Sequence, residues 1–479
     1  MPPGLRYVRG IDTALLKALF WEADKCLTVM DILSTLRHTL SPSYIRRLDK
    51  LCILLNSLRS AMLVVGDIFP LHTESIDLYL NHLDMSLPSI SKTLDDIQLR
   101  CAHGNFYGNA DWDRLMYAMS RGDRVRLELF GRLTLYYEFF DMLYLAMTQD
   151  PGFDSSMAED LRVRIMDLRE TCGITIPRDL STIFVPFNNL PAAYVRRQDD
   201  SQPHWAVETV DRKPNTATPF DTECSSTSYG PFREWNMMGI PDRSKLLFRR
   251  SFDDDEISLV VFLNSRNRLP YALLRTTSNS HPHFKCRPLS EVRIKRSETK
   301  LHLSRWSNRQ ETFVHWAILN FHFFEELVVI QCTLLALKAQ TSLLSKALSH
   351  DESVIRDDSK IWVKDIIESG VRHKLIIYRD DLTGTKRLYA CVAKGERLQA
   401  YAPAWTIFFS DRRARPQLQC INDFGLIIHN PSLYTFGNRY TTPRHNPQHF
   451  QVTFMNSGDN RQLKYLLEES FKALQRAQD

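Results

Sequence analysis

The chain has 479 residues with 43% hydrophobic content, and its 61 basic and 56 acidic side chains give a net charge of +5. This length and apolar content suffice for roughly three packed domains. The nearly balanced charge argues against a polybasic nucleic-acid-binding protein and against an acidic tail, so nucleic acid is not expected as a partner.

The sequence predicts neither membrane insertion nor secretion. Its most apolar stretch, residues 327–337, is shorter than the run of about 18 apolar residues that a membrane helix needs, and it contains Gln331. The first residues lack the uninterrupted apolar core and the cleavage site of a secretory signal. The nine cysteines are scattered without a CxxC pair, which is typical of free thiols in a reducing compartment. We therefore expect a cytoplasmic protein, with peripheral membrane attachment as the alternative.

Residues 1–174 are predicted to form an α-helical bundle, because apolar residues recur at helical spacing through most of this region. Pro88 interrupts the most regular stripe, so a kink or a helix boundary is expected there. The segment 124–147 is rich in aromatic residues. These include Tyr136, Tyr137, Phe139, Phe140 and Tyr144. A helix that is apolar on nearly all sides is usually buried, so a core position is favoured for them over a partner-binding groove.

Residues 175–243 are predicted to be a proline-rich, partly ordered linker. The segment contains eight prolines and no sustained periodicity. Part of it, IFVPFNNLPAAYV at residues 183–195, is apolar enough to dock on a neighbouring domain.

Two runs of predicted strands follow, in residues 244–341 and 359–479, and a polar linker at 342–358 separates them. Each run ends in a helix with one apolar stripe, and the second run has about seven strands. In the closing helix the stripe consists of Leu463, Leu467, Phe471 and Leu474. Strands followed by one covering helix are the plan of a pleckstrin-homology-like barrel. The predicted fold class is therefore α+β multidomain, with an N-terminal α-helical bundle followed by two pleckstrin-homology-like β-barrel modules, each closed by a C-terminal helix.

Three stretches carry a resemblance to a known family. They are LTLYYEFFDMLYLAMTQDPGFDSSMAEDLRVRIMDLRETCGI, NSRNRLPYALLRTTSN and EELVVIQCTLLALKAQ. With them the chain resembles a family of filamentous-fungal proteins that have a helical N-terminal region and pleckstrin-homology-like modules behind it. The resemblance implies the same architecture and supplies no catalytic residue. The closing helix of typical pleckstrin-homology domains carries a tryptophan, which residues 458–475 lack, and this departure argues against the ordinary lipid-binding branch.

The second module contains candidate residues for binding an anionic ligand. The lipid-binding branch holds phosphates with basic residues on the first two strands and their loop. At this place the chain has Lys374, Arg379, Lys386 and Arg387. Asp380 and Asp381 occupy the same turn and would repel phosphate, so a solvated hairpin of mixed charge is the favoured interpretation.

A second basic cluster lies in the first module. Its candidate anion-binding residues are Arg293, Lys295, Arg296 and Lys300, with Lys285, Arg287, Arg305 and Arg309 nearby. Alternation places Arg293 and Lys295 on the strand face opposite Val292 and Ile294. This face suits an anionic membrane or nucleic acid, although an ordinary solvated sheet surface is the commoner explanation for a cluster of this size.

Catalytic and metal-binding patterns are missing from the sequence. It has no GxGxxG, GxxxxGK[ST], GxSxG or HExxH motif. His445 and His449 have the spacing of helical zinc ligands, but Pro443 and Pro447 disfavour a helix there. The acidic segment 253–256 lacks the glycine and the distal glutamate of a calcium loop. We therefore expect no enzyme activity, no cofactor, no metal and no small-molecule substrate.

Two functions remain after these exclusions. The favoured hypothesis is a non-catalytic intracellular adaptor or scaffold that binds other proteins through the helical bundle and the two modules. The alternative is a peripheral membrane protein that recognises an anionic lipid, such as a phosphoinositide, through the basic faces of the modules.

Overall fold

The computed structural model describes a helical region and two modules that each combine sheets with a helix. The described residues are 10–72, 76–102, 108–120, 127–174, 204–212, 217–221, 225–235, 238–241, 244–278, 281–340, 352, 358–368, 370–393, 401–409, 417–437 and 449–476. The predicted docking segment 183–195 and His445 lie outside these ranges.

The described part of the N-terminal region folds into six α-helices. They are α1 (Gly10–Thr35), α2 (Pro42–Ile68), α3 (Ile76–Ala102), α4 (Asn109–Ser120), α5 (Leu129–Thr148) and α6 (Ser155–Thr171). Helix α1 packs against α2 and α3, and α2 also packs against α5. Local chemistry sets the helix starts: Pro42 begins α2 at a position that needs no amide hydrogen, and Asp154 caps α6 by accepting hydrogen bonds from the amides of Ser156 (2.8 Å) and Met157 (3.2 Å).

The bundle core contains the aromatic residues of α5. Tyr136, Phe139 and Phe140 are fully buried, and the Tyr136 hydroxyl donates to the carbonyl of Ser89 at 3.1 Å. The other two predicted aromatics are partly buried against the same core. Helix α3 runs through Pro88 without ending, so the predicted alternative of a helix boundary at this proline is wrong.

Helix α2 and the residues after it are long and apolar enough to cross a membrane, by length and composition alone. The helix lies in the bundle core, where Leu51, Leu55 and Leu58 are fully buried. Its two buried charged residues, Arg59 and Asp67, contact the next module through ion pairs. These contacts are typical of a core helix in a packed domain.

The first module is a pair of four-stranded antiparallel sheets and a helix. Its elements are β1 (Thr227–Ser228), β2 (Lys245–Phe252), β3 (Ile257–Leu263), β4 (Pro270–Ser278), β5 (His281–Pro288), β6 (Val292–Ser297), β7 (Lys300–Ser307), β8 (Thr312–Asn320) and α8 (Phe324–Gln340), and α7 (Trp205–Asp211) precedes them. The sheets have the strand orders β2-β3-β4-β5 and β1-β8-β7-β6. In β6, Val292 and Ile294 are buried while Arg293 and Lys295 lie on the other face, as the sequence alternation predicts.

The second module has a five-stranded and a three-stranded sheet, and helix α9 (Asp459–Arg476) follows them. Its strands are β9 (Asp358–Glu368), β10 (Val371–Asp380), β11 (Lys386–Val392), β12 (Pro403–Phe408), β13 (Leu418–Cys420), β14 (Gly425–His429), β15 (Ser432–Thr435) and β16 (His449–Thr453). The strand orders are β15-β12-β11-β10-β9 and β13-β14-β16. Leu463 and Leu467 of α9 are buried in the core between these sheets, whereas the side chains of Phe471 and Leu474 lie outside the described part.

The described strands of each module form two separate hydrogen-bonded sheets, so a closed barrel stays a prediction. The described parts of the predicted linker 175–243 pack on both modules: β1 pairs with β8, and Thr209 of α7 donates to the carbonyl of Thr435 at 2.8 Å. The predicted domain boundaries at residues 174, 243, 341 and 358 stay predictions.

Candidate anion-binding surfaces and the junctions between modules

Lys374, a candidate anion-binding residue of the second module, already pairs with a carboxylate. Its Nζ lies 2.6 Å from Asp365, which sits opposite it on β9, and Arg372 contacts the same carboxylate at 2.6 Å. Burial favours a higher pKa for Asp365, but the hydrogen bonds and charges of the two cations outweigh it and hold this pKa below its ordinary value. Much of the Lys374 charge is therefore neutralised within the sheet.

Arg387 lies in the interior rather than on the predicted binding hairpin. Its side chain is fully buried, its Nη2 donates to Asp358 at 2.7 Å, and its guanidinium stands 5.0 and 5.2 Å from the ring centroids of Tyr378 and Tyr389. A lipid phosphate cannot reach this side chain in the folded protein. The prediction that Arg387 binds an anionic ligand is corrected accordingly.

Arg379 and Lys386 are the two candidates of this set that remain on the hairpin surface. They face each other across β10 and β11, and Arg379 is exposed while Lys386 is half-buried. Burial, together with the charge of Arg379, lowers the pKa of Lys386. Asp380 in the adjoining turn points inward and accepts hydrogen bonds from the amide (2.7 Å) and hydroxyl (2.6 Å) of Thr383, so of the two predicted repelling acids only Asp381 is exposed.

The candidates of the first module also divide into surface and interior residues. Arg293, Lys295 and Lys300 lie on the sheet β1-β8-β7-β6 with partly exposed side chains. Arg296 has a fully buried side chain that pairs with Asp358 at 2.7 Å and also with Asp380. The prediction that Arg296 binds an external anion is therefore corrected as well, because its charge is already matched inside the protein.

Arg296, Arg387, Asp358 and Asp380 together form what we call the PH junction, between the two modules. Burial favours a higher pKa for Asp358, but the charges of Arg387 and Arg296 outweigh it and lower this pKa. An apolar cluster surrounds the ion pairs and contains residues of both modules, including an edge-to-face contact of Phe324 with Phe408 at 5.9 Å. The two modules therefore share a core.

A second network, the bundle junction, connects the helical bundle to the first module. It consists of Asp67 and Arg59 from α2 with Arg249, Asp255 and Arg275 from the first module. The Asp67 carboxylate is fully buried; it contacts Arg275, and Arg249 lies 2.5 Å from it. Arg59 lies 2.6 Å from Asp255. Burial favours a higher pKa for Asp67, but the charges of Arg275 and Arg249 outweigh it and lower this pKa.

Sequence reasoning did not identify the bundle junction. The acidic segment 253–256 forms the turn between β2 and β3. Asp255 in it pairs with Arg59 of the bundle, and Asp253 accepts a hydrogen bond from the amide of Ser226 at 2.5 Å. The sequence of α2 does contain a signal of this contact. Asp67 follows a long apolar stripe, so its carboxylate is expected to be buried, and a buried carboxylate needs a cationic partner from another part of the chain.

Lys285, a neighbour of the second predicted cluster, is also turned inward. Its ammonium donates to the carbonyls of Tyr229 (2.6 Å) and Trp316, and it lies 5.3 Å from the ring centroid of Phe232. Burial, followed by the charge of Arg305, lowers the pKa of Lys285 to about 7. This lysine fastens the segment around Tyr229 to β8.

Within the described part of the chain, no group of three or more His, Cys, Asp or Glu side chains could hold a metal ion. His449, which the sequence paired with His445, instead stacks edge-to-face with His429 at 4.4 Å on the neighbouring strand.

Comparison with known proteins identifies the two modules. Residues 235–356 and residues 359–472 each match a family described as a PH domain found in tandem in fungal proteins. A comparison with curated proteins gave no match. Both matches fall on the sheet-and-helix modules and leave the helical region in front of them. The chain therefore carries a tandem pair of PH domains of the kind found in fungal proteins, behind a helical N-terminal region.

Proposed function

We propose that this protein is a non-catalytic cytoplasmic adaptor that binds other proteins through its helical bundle and its two PH domains, each built on a pleckstrin-homology-like barrel. PH domains are typically binding modules, and the family matches cover both of them. The observation that carries the proposal is the presence of buried ion pairs at both junctions, with Asp67 and Arg387 as fully buried members.

Buried ion pairs restrict the modules to relative positions in which each charge meets its partner. Taking charges out of water is costly, and the cost is recovered only when each charge meets its partner at hydrogen-bonding distance. A changed arrangement of bundle and first module would strand Asp67, and a changed arrangement of the two PH domains would strand Arg296. The protein therefore presents its surfaces in one arrangement, which suits an adaptor that positions partners relative to each other.

Peripheral membrane binding to an anionic lipid is the second candidate function. It is supported by the surface positions of Arg379 and Lys386 on the β10–β11 hairpin and by the basic residues on the outer face of β6. Against it, the Arg387 and Arg296 charges are buried, and Lys374 is paired with Asp365. The remaining surface charge is small for a phosphoinositide site, which usually gathers several cations around one headgroup.

Vesicle binding separates the two functions. The full chain would be sedimented with phosphatidylcholine vesicles that contain or lack phosphatidylinositol bisphosphate, at low and high salt. The adaptor proposal predicts no sedimentation that depends on phosphoinositide, while affinity purification followed by cross-linking mass spectrometry recovers partner proteins attached to surface residues of the bundle or the PH domains.

Two charge-reversal variants sharpen this test. Arg379→Glu with Lys386→Glu changes the hairpin, and Arg46→Glu with Lys50→Glu makes the same change on exposed positions of α2. Phosphoinositide-dependent sedimentation that falls with salt, is lost in the hairpin variant and is kept in the α2 variant would replace the adaptor by the membrane function.

A further inference from the structure

Helix α7 lies between the two PH domains, in the stretch that the sequence predicts as linker and upstream of both family matches. Trp205 and Ala206 are buried in the apolar cluster that contains residues of both modules. The Trp205 indole donates to the side-chain oxygen of Gln340 at the end of α8, at 3.3 Å. Helix α7 also packs against β2 of the first module and β15 of the second. It is therefore a separate element held between the two PH domains.

Helix α7 covers one edge of the five-stranded sheet. Among the described strands of this sheet, β15 lies at the edge, next to β12. The amide of Phe436 donates to β12, so by strand alternation the carbonyls of Leu433 and Thr435 point the other way. Arg212 donates to the carbonyl of Leu433 at 2.6 Å. The Thr209 hydroxyl lies 2.8 Å from the carbonyl of Thr435. These side chains occupy the acceptors that a further strand would use.

The short length of α7 makes its helical form dependent on docking. The helix has seven residues, and isolated helices shorter than about 12 residues are marginal in water. Detachment of α7 and loss of its helical form are therefore one event. Elements with few contacts of their own open at the lowest free energies in a folded protein, so we expect α7 to open before the sheets beneath it.

The docked helix depends on an uncharged histidine at its N-terminus. The Nδ1 atom of His204 accepts a hydrogen bond from the amide of Ala206 at 3.1 Å, and the ring lies 5.3 Å from that of Trp205. A protonated imidazole has two N–H donors and no acceptor, so protonation removes this cap and adds a positive charge at the positive end of the helix dipole. Burial, followed by the charge of Lys245, lowers the pKa of His204 to about 4, so the docked state disfavours the protonated form.

The elements packed around α7 present further polar groups to it. Strand β2 presents Lys245, whose charge acts on His204, and α8 presents the uncharged amide of Gln340. Strand β15 presents Tyr434 and α5 presents Tyr144. Burial raises the pKa of both tyrosines, so they stay neutral in acid.

The other charged groups of α7 and its C-terminal end do not favour release in acid. Glu208 is exposed, and Arg212 carries a guanidinium, which keeps its charge in acid. Burial raises the pKa of Asp211, so the docked helix holds a proton on this carboxyl more tightly than the detached segment does, and its titration opposes release. His204 is therefore the group of α7 whose titration in acid favours detachment.

We propose that α7 is an acid-released cover of the β15 edge: protonation of His204 removes the N-cap, α7 detaches, and the carbonyls of Leu433 and Thr435 become open to a strand of another chain. The lowered pKa of Asp358 keeps the PH junction ionised under the same mild acid, so the two PH domains stay together. This inference goes beyond the proposed function and is independent of whether the chain binds proteins or lipid, so the vesicle experiment and the following one fail separately.

Hydrogen exchange of the full chain, measured by mass spectrometry, tests the inference. Protection factors of peptides covering residues 204–212 and 432–436 are compared at pH 7 and pH 5, each corrected for the intrinsic exchange rate. Detachment returns His204 to an ordinary pKa of 6.5, so the opening equilibrium should rise and both protection factors should fall by roughly tenfold or more. Peptides from the sheet core, such as residues 257–263, should change less.

His204→Asn separates titration from packing. Asparagine is a good helix cap and does not titrate, so this variant should stay docked with similar protection at pH 7 and pH 5. The matched control is His38→Asn, which replaces an exposed histidine of the bundle and should keep the pH dependence of the unmodified chain. Thr209→Val removes the hydroxyl and should lower the protection of residues 432–436 already at pH 7, whereas Glu208→Ala on the exposed side of α7 should not.

The comparison with His204→Asn decides the outcome. Burial lowers the pKa of His82 to about 3, so the bundle loses some stability in acid, but the unmodified chain and the variant share this effect. Equal loss of protection at pH 5 in both chains would overturn the inference, as would unchanged protection of residues 204–212 in the unmodified chain or full protection of residues 432–436 in Thr209→Val. Thermal unfolding verifies that each variant is folded.

Discussion

Replacing Asp67 by asparagine would show how much the bundle junction contributes to the free energy of unfolding. Asp67→Asn keeps the size of the side chain and removes its charge, so Arg275 would lose its carboxylate and Arg249 would keep only Asp255, at 3.4 Å. The Asp67 and Arg275 side chains are fully buried. Removing one partner of a buried pair leaves an uncompensated charge, which costs about 3–5 kcal/mol.

Thermal unfolding measures this loss. For a unit of the size of the bundle and the first PH domain, about 3–5 kcal/mol corresponds to a fall in Tm of roughly 5–8 °C. The matched control is Asp49→Asn, which breaks the surface pair of Arg37 and Asp49 at 3.2 Å, whose side chains are 56% and 43% exposed. An exposed pair contributes no more than about 1 kcal/mol, so the control should unfold close to the unmodified protein.

The pH dependence of this difference has a defined sign. The pKa of Asp67 is lowered in the folded state, so its contribution to stability is present above the ordinary carboxyl pKa of about 3.9 and is lost as the pH falls through the folded value. The Tm difference between the unmodified chain and Asp67→Asn should therefore be complete at pH 7 and shrink below about pH 4. A small, equal loss for Asp67→Asn and Asp49→Asn would refute the argument that the bundle junction positions the modules.

Three further predictions concern buried groups. Arg387→Met at the PH junction should cost about 3 kcal/mol, because it leaves the buried carboxylates of Asp358 and Asp380 with Arg296 as their only arginine in the junction. Arg114→Met, whose arginine side chain is 80% exposed, should leave Tm nearly unchanged, and similar losses for both would contradict the burial of Arg387. Burial lowers the pKa of Lys285 to about 7, so between pH 7 and 10 the unfolded chain binds more protons than the folded chain. The free energy of unfolding should therefore rise with pH over this range. Lys285→Met should remove this rise, and matching pH profiles of the two chains would contradict the prediction. Burial raises the pKa of the Cys332 and Cys391 thiols to about 12, so both should resist Ellman's reagent in the folded chain and react after denaturation, as peptide mapping of the labelled chain would show.

Local periodicity was sufficient for predicting the elements that form the cores. The stripe containing Leu51, Leu55 and Leu58 predicts the buried side of α2, and the alternation of Val292 and Ile294 predicts the inner face of β6. These patterns depend on neighbours within one helix or strand. They predict which side of a helix or strand is buried, but not which module packs against that side.

The candidate site could be predicted only in part for the same reason. Arg296 and Arg387 were predicted on a surface because basic residues are usually exposed. In the structure both side chains are buried and pair with Asp358, which belongs to a separate strand. For Arg296 a signal existed, because alternation places it on the same face as Ile294 and so toward the interior. The stacking of Arg293 on Phe313 joins residues of two strands that are not adjacent, and no spacing in the sequence predicts it.

Small-angle X-ray scattering of the full chain tests the central claim, that the bundle and both PH domains are held in one arrangement, most directly. A single compact body of this length has a radius of gyration of about 23 Å. We predict a value near this one, a pair-distance distribution with one maximum, and a measurable expansion in a chain carrying both Asp67→Asn and Arg387→Met. A clearly larger value for the unmodified chain, with separate maxima and no further change in the double variant, would contradict the account.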